Sequence, residues 1–311
     1  MFKVTASPHI RDRMTTQKIM LCVIISLIPA LIGGFITFGL RAVIVTLVCT
    51  ASCVFFEALT RIIMKRPQTV SDLSATVTGI LLAMNLPVTI PLWQAVIGSF
   101  VAVVIAKQLF GGLGQNFVNP AILARIVLML SFTADMTSWA VPKYWKYDSA
   151  KIVTSATPLV SRDASYIDLL LGNTGGCIGE VCALGLIIGG LLLIFTKIIS
   201  PVTPLAFICT VALLELIAGN DPIYHILSGG LLLGAFFMAT DYVTTPLTSM
   251  GKLIFGIGCG IITFVIREFG GYPEGVSFAI LLMNIITPYI DNFTATKPIG
   301  AVYPKKEAGK Q

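Results

Sequence analysis

Residues 19–39, IMLCVIISLIPALIGGFITFG, and residues 42–63, AVIVTLVCTASCVFFEALTRII, are two apolar runs separated only by Leu40-Arg41. Each reaches the roughly 20 residues that carry a helix across the hydrocarbon core of a bilayer. Lipid offers no hydrogen bonds to stray peptide groups, so such runs cross as helices. Further apolar stretches lie near 73–86, 93–110, 119–133, 181–199, 203–219, 225–240, 251–268 and 275–290. The stretches at 73–86 and 119–133 are short and bounded by breakers. Pro87 follows one, and Asn119-Pro120 opens the other; proline suits a first helical position. The expectation is an all-α polytopic membrane protein with about ten transmembrane helices.

Composition agrees. Of 311 residues, 56% are apolar and 12% charged, against about 25% charged in a soluble domain. A lone water-facing enzyme domain is excluded. The net charge of +6 is too thinly spread for a nucleic-acid binder, and none is expected as a partner. Residues 1–18 are polar and basic with no small-residue cleavage pattern downstream, so they read as a cytoplasmic segment and not as a cleaved signal. With that end inside, Arg61, Lys65, Arg66, Lys107, Lys197, Lys252 and the tail residues Lys297, Lys305, Lys306 and Lys310 all fall on the cytoplasmic side, as basic residues do. The outer connections hold Arg41 and the neighbours Arg267 and Glu268. Both termini are expected inside, and the mixed-charge segment 134–180 outside.

The halves resemble each other. An offset of 159 carries Phe110-Gly111-Gly112 onto Phe269-Gly270-Gly271 and Pro87 onto Pro246. Offsets of 158 and 156 carry Glu57 onto Glu215 and Gly33-Gly34 onto Gly189-Gly190. The reading is two inverted five-helix repeats, 19–133 and 181–290, with an outer loop at 134–180 and a cytoplasmic tail at 291–311. Such designs put their sites at the repeat interface.

Carboxylates inside apolar runs cost about 2.5–3.5 kcal/mol on insertion scales, so Glu57 and Glu215 need a partner or a wet cavity. With Asp241 and Asp291 they are the candidates for an ion pathway. Asp241 stands out for its neighbours Thr240, Thr244 and Thr245. Asp72, like Asp241, sits at a half-helix boundary; the structural alternative is that Glu57 and Glu215 pair internally with Arg125 or another base or stay protonated, and that the threonines cap helix ends. Two histidines and seven cysteines without a C-x-x-C pair give no zinc framework, and no metal site is expected. Cys177 and Cys182 read as free thiols, a disulfide being the alternative.

The outer loop contains Val153-Thr154-Ser155-Ala156-Thr157-Pro158-Leu159, a strip of low bulk and three hydroxyls. Pro158 biases Thr157 toward an extended backbone, which presents its hydroxyl. Trp139, Tyr144, Trp145, Tyr147 and Tyr166 gather in the same loop, as interfacial anchors or as stacking partners for a planar ligand. Asn116 and Asn119 flank a helix start, whose free N–H groups suit an anion or a carbonyl edge.

Four stretches, in order, carry a resemblance: Ser7-Pro8-His9-Ile10; Gly111-Gly112-Leu113-Gly114-Gln115-Asn116 with Asn119-Pro120-Ala121; Met238-Ala239-Thr240-Asp241-Tyr242-Val243-Thr244-Thr245-Pro246; and Leu281-Leu282-Met283-Asn284. From residue 7 to about residue 300 the chain resembles the NqrB/RnfD family. These are membrane flavoprotein subunits of the sodium-pumping quinone reductase and of the Rnf ion-translocating electron-transport complex. The short N-terminal segment favours the RnfD branch.

The resemblance implies FMN joined by a phosphoester to the threonine of an (S/T)-G-A-T strip, a position held here by Thr157. Ser155 stands where glycine is usual, and Lys151 where an acid often stands. It further implies electron passage between ferredoxin and NAD⁺ coupled to Na⁺ or H⁺ movement, in a bacterial cytoplasmic (inner) membrane. The implied partners are the other Rnf subunits and a flavin-attaching transferase. Asn116 and Asn119 become cofactor-binding candidates. A second, noncovalent flavin and an iron–sulfur centre shared with a partner stay open. The chain has no nucleophile–base pair and no Rossmann glycine motif, so no complete catalytic site is expected in it alone. The rival reading is a secondary ion or solute transporter without redox function.

Overall fold

The computed structural model describes residues 14–142, 154–155, 157–161, 164–270 and 274–295. Outside them lie Ser7 to Ile10, Tyr144, Trp145, Tyr147, Lys151, Val153, Ala156, Gly271, Lys297, Lys305, Lys306 and Lys310. The chain is a mostly helical, polytopic membrane protein. Among the described residues, four helices are long and apolar enough to cross a bilayer: α1 (Thr16–Phe38), α2 (Leu40–Ile63), α13 (Ser249–Phe269) and α14 (Val276–Thr294). Shorter apolar helices stand among them: α3 (Ser74–Met84), α4 (Leu92–Gln108), α5 (Pro120–Ser131), α9 (Ala183–Phe195) and α10 (Val202–Ala218). The small helices are α6 (Thr133–Met136), α7 (Pro158–Ser161), α8 (Tyr166–Leu171), α11 (Pro222–Leu227) and α12 (Leu231–Leu233).

Local chemistry sets the ends. Thr15 caps α1 by accepting from the Lys18 N–H. Gly39, at φ +68°, turns α1 directly into α2. Asn119 caps α5 by accepting from the N–H groups of Ala121 and Ile122, with Pro120 at the first position. Three readings need correction. The stretch 225–240 is not one span: it breaks at 228–230, where Gly229 takes φ +68°, and resumes as α12 and a π-helical run Gly234–Met238. Asp291 is not beyond the last span, because α14 continues to Thr294. The chain also carries a two-residue antiparallel ladder, β1 (Trp139–Ala140) with β2 (Thr154–Ser155), pairing Trp139 with Ser155 and Ala140 with Thr154.

Small residues let the helices approach closely, as packing within lipid requires. A Cβ on Gly33 or Gly34 would strike Cys182 or Ile178, and one on Gly185 or Gly189 would strike Ala30 or Ser26. Thus α1 lies tight against α9 and the segment leading into it. That segment is buried. The N–H groups of Ile178 and Gly179 donate to the carbonyls of Leu86 and Met84 at 3.1 and 2.8 Å, which stitches 177–180 onto the end of α3.

Candidate functional site

Two of the cavities lie at opposite ends of the bundle, since α9, and likewise α12 with the π-helical run that continues it, begins near one and finishes near the other. The larger, about 790 Å³ with its open mouth, is lined by Ile19, Lys107, Asn116, Asn119, Phe236 and Asp241 among others. The smaller, about 280 Å³ with its mouth, is lined by Thr157, Thr174, Gly176, Glu180, Ser228 and Glu274 among others.

Thr157 reaches the smaller cavity because β2 holds the strip extended and Pro158 then starts α7. The Pro158 carbonyl accepts from the Tyr224 hydroxyl at 2.9 Å, which pins this corner to α11. Thr157 itself is buried. Behind it sits a cluster that sequence reasoning missed. Arg125 of α5 donates to Asn85 Oδ1 at 2.8 Å and to Glu180 Oε1 at 3.0 Å, and pairs with Glu274. Cys177 Sγ stands 3.7 Å from the guanidinium and donates to the Asn85 carbonyl. The ligand-type atoms of Cys177, Glu180 and Glu274 lie within 4.8 Å of one another, and the guanidinium is the cation they surround. An arginine in a short apolar helix was the available signal. A charge there requires partners.

A line of polar contacts leads from this cluster to the larger cavity. Asn85 Nδ2 stands 3.6 Å from Met238 Sδ, and Asn119 Nδ2 donates to the Met238 carbonyl at 3.3 Å. Asn116 donates to Val118 O at 3.1 Å and to Asp241 Oδ2 at 3.5 Å, while Thr244 donates to the same Asp241 oxygen at 3.1 Å. Asn116, Asn119 and Asp241 therefore share one wall, and Thr157 is on the other side of the bundle.

The remaining acids do not gather. Glu57 in α2 pairs with Lys107, and accepts from Gln108 and Thr69 at 2.9 Å each. Glu215 in α10 faces His225 Nδ1 at 3.1 Å and accepts from Asn220 at 2.9 Å. Each thus meets a basic group other than Arg125, which is taken by Glu180 and Glu274, as the structural alternative allowed. Lys107 is buried rather than a surface charge closing its span. Arg267 turns inward to the carbonyls of His225 and Ser228, while Glu268 accepts from Asn220. Asp291 accepts from the Leu247 N–H at 2.9 Å, and Asp72 caps α3 through Ser74 N at 2.8 Å. Cys177 and Cys182 are free thiols. Trp139 is buried in the ladder, and the Tyr166 hydroxyl donates to Asp221.

The fit of a flavin phosphate to the smaller cavity rests on its size and donors. Sites enclosing a whole small molecule run to roughly 300–1,000 Å³. The Thr157 cleft lies below that range and has no room for a three-ring head. Thr174 and Ser228 bring hydroxyls to its wall, and Gly176 brings backbone without a side chain.

Comparison with known proteins follows the same lines. The chain is 49% identical over 315 residues to the D subunit of a Na⁺-translocating ferredoxin:NAD⁺ oxidoreductase complex of Acetobacterium woodii, covering 98% of this chain and 97% of the relative. It is 41% identical over 321 residues to the D subunit of a proton-translocating ferredoxin:NAD⁺ oxidoreductase complex of Clostridium ljungdahlii, covering 96% of each. It is 36% identical to the D subunit of an ion-translocating oxidoreductase complex of Vibrio atlanticus, covering 96% of this chain and 99% of the relative. The sequence pattern of one family, described as NQR2, RnfD, RnfE, matches residues 3–300, and the chain belongs to that family.

Proposed function

We propose that this chain is the membrane-embedded D subunit of an ion-translocating ferredoxin:NAD⁺ oxidoreductase complex, with FMN esterified to Thr157. The observation that carries the cofactor assignment is the buried Thr157 side chain at the wall of a cleft that the hydroxyl-bearing Thr174 and Ser228 also line. When bound, FMN supplies the electron-transfer chemistry. Thr157 would hold the phosphoester, with Thr174, Ser228 and the Gly176 backbone beside it. The names borne by the relatives support the complex, its other subunits as partners, and Na⁺ or H⁺ as the ion moved. A flavin-attaching transferase completes the partners.

The arrangement is read as about ten spans in two inverted five-span halves, 19–133 and 181–290, in a bacterial inner membrane. Both termini lie in the cytoplasm and the segment 134–180 lies outside. Two observations support it. Gly33-Gly34 and Gly189, related by the offset of 156, lie along one seam, the former against Cys182 and Ile178 just before α9 and the latter against Ser26 of α1. Glu57 and Glu215 each face a basic side chain, near opposite ends of the bundle. The larger cavity, with Asn116 and Asn119 on its wall, is the place for a second, noncovalent flavin. Asp241, Glu57, Glu215 and Asp291 stay the candidates for the ion route.

The test is direct. The protein is produced in a host that attaches flavins, denatured in acid, and its 33.3 kDa band inspected for flavin fluorescence, with peptide mapping across 147–162. Fluorescence in the native chain that is lost in Thr157→Val supports the assignment. An unmodified peptide mass overturns it and favours a transporter without redox function.

A further inference from the structure

A third cavity opens beside the Thr157 corner, about 990 Å³ with its mouth, lined by Ser165, Tyr166, Asn220, Asp221, Tyr224 and His225 among others. His225 reaches it from α11 and is buried, and Glu215, near the end of α10, is 0% exposed. His225 Nδ1 and Glu215 Oε1 stand 3.1 Å apart. The Asn220 amide donates to Glu215 Oε2 at 2.9 Å and to Glu268 Oε1 at 2.6 Å. Both oxygens of Glu215 therefore face nitrogens, whereas a hard metal cation gathers several oxygens around itself.

A buried carboxylate needs a compensating charge. Among the described residues, His225 is the one base at ion-pair distance from Glu215. A bare ring lone pair would be repelled by the carboxylate oxygen, so Nδ1 carries its hydrogen and the proton that titrates sits on Nε2. Asp221 acts on His225 and favours the imidazolium, as does Glu268 of α13 across Asn220. Arg267 of α13 opposes it, but that guanidinium acts on Glu180 as well as on Glu215. Tyr166 of α8 donates to Asp221 and Tyr224 donates to the Pro158 carbonyl, so both phenols keep their hydrogens.

We propose that Glu215 and His225 form a proton-binding site, which at neutral pH holds an imidazolium against the carboxylate and exchanges the Nε2 proton with water in the cavity that His225 lines. Loss of that proton to water leaves a neutral imidazole, with Nδ1–H toward Glu215, and a hydronium ion in the cavity. The site is tied to the Thr157 corner. Tyr224 holds the Pro158 carbonyl, and Arg267 joins the carbonyls of His225 and Ser228. Glu215, an ion-route candidate above, becomes the partner of a proton and not a ligand of Na⁺. Only its place in the route rests on the reading given above, and the proton does not.

The chain has two histidines, His9 and His225, so His9→Gln leaves a single imidazole to observe. The ¹⁵N resonances of that histidine-labelled full chain are followed as pH rises through the neutral range. The expected result is an imidazolium at neutral pH that loses one proton above the ordinary histidine midpoint of about 6.5. In Glu215→Gln the midpoint should fall by about 1–3 pH units, the shift that an opposite charge within about 4–6 Å imposes. A midpoint at or below the ordinary value with Glu215 in place, no titration at all, or a midpoint unmoved by Glu215→Gln overturns the proposal. If Glu215→Gln does not accumulate, the midpoint with Glu215 in place decides alone. Replacing choline by Na⁺ in the buffer should leave the midpoint where it is; a fall would make the carboxylate a sodium ligand and overturn the proton assignment. Ion transport by the assembled complex carrying Glu215→Gln tests the place in the route separately.

Discussion

The Lys107 ammonium stands 3.2 Å from each oxygen of the Glu57 carboxylate, with the side chains 2% and 0% exposed. Lys107 also donates to Ser74 Oγ at 2.6 Å, and Gln108 and Thr69 fill further positions on Glu57. Breaking a buried pair by removing one member leaves the other uncompensated. Lys107→Met is therefore expected to cost roughly 3–5 kcal/mol. The pair Glu57→Gln with Lys107→Met should recover most of that. Thermal unfolding of the detergent-purified variants reads both. A double variant no better than the single would show that the hydrogen-bond shell, and not the charge balance, holds α2 to α4.

Gly79 tests how closely α3 must approach α2. A Cβ there would lie 2.6 Å from the Thr50 Cα and 3.0 Å from the Cys49 carbonyl oxygen, and backbone cannot step aside. Gly79→Ala should destabilise the protein by about 1–3 kcal/mol, the range for overpacking a tight interior. Gly258 is the control. Its Cβ would meet only the end of Met283, a flexible side chain, so Gly258→Ala should lower the unfolding temperature clearly less. Equal losses at both positions would sink the argument.

Asn119 has two duties that substitution can separate. Its Oδ1 accepts from the first turn of α5, and its Nδ2 reaches the Met238 carbonyl at 3.3 Å. Asn119→Ala removes both and should cost about 0.5–2 kcal/mol through the cap alone. Asn119→Ser keeps the cap and loses the donor to Met238 without burying a charge. It should unfold close to the native protein if capping dominates. A loss as large as that of alanine would assign the stability to the bridge between α5 and the π-helical run after α12.

Much of the fold was legible because lipid enforces simple rules. Runs such as 19–39 and 42–63 can do little but span, and Pro87 and Asn119-Pro120 marked the limits of the short helices. The break at Gly229 was written in the Gly229-Gly230 pair but hidden by apolar residues on both sides. The conversion of α4 to π-helical turns after Phe100 has no sequence mark of comparable strength. For the site, Thr157, Asn116, Asn119 and Asp241 could be singled out by local sequence. The partners of the buried acids could not. Lys107 reads as a flank charge because its span ends nearby, yet α2 and α4 pack so that it points at Glu57. Glu180 and Glu274 lie in connections that look solvated, and only the folding of 177–180 against α3 brings Glu180 to Arg125.

Outside the spans, the Tyr166 hydroxyl donates to Asp221, which also caps α11 by accepting from the N–H groups of Ile223 and Tyr224. The hydrogen bond from Tyr166, with those backbone bonds, holds the Asp221 carboxyl below the usual carboxylate range. The same bond raises the Tyr166 phenol above its ordinary value. The signs set a window. The contribution of a depressed carboxyl is present above its unfolded pKa and is lost as pH falls through the folded one. The contribution of a raised phenol is present below its unfolded pKa and is lost as pH rises through the folded one. This contact between α8 and α11 should therefore be whole across neutral pH and open only at the acid and alkaline extremes. Both groups are exposed, so the effect on overall stability is small, and the ionisation itself is the better readout. Tyrosinate absorbance, taken as the difference between each protein and its Tyr166→Phe counterpart, should show Tyr166 ionising at higher pH in the native chain than in Asp221→Asn. Asparagine keeps the cap, so an unchanged titration would mean that the α8–α11 clasp is made by packing and not by this bond.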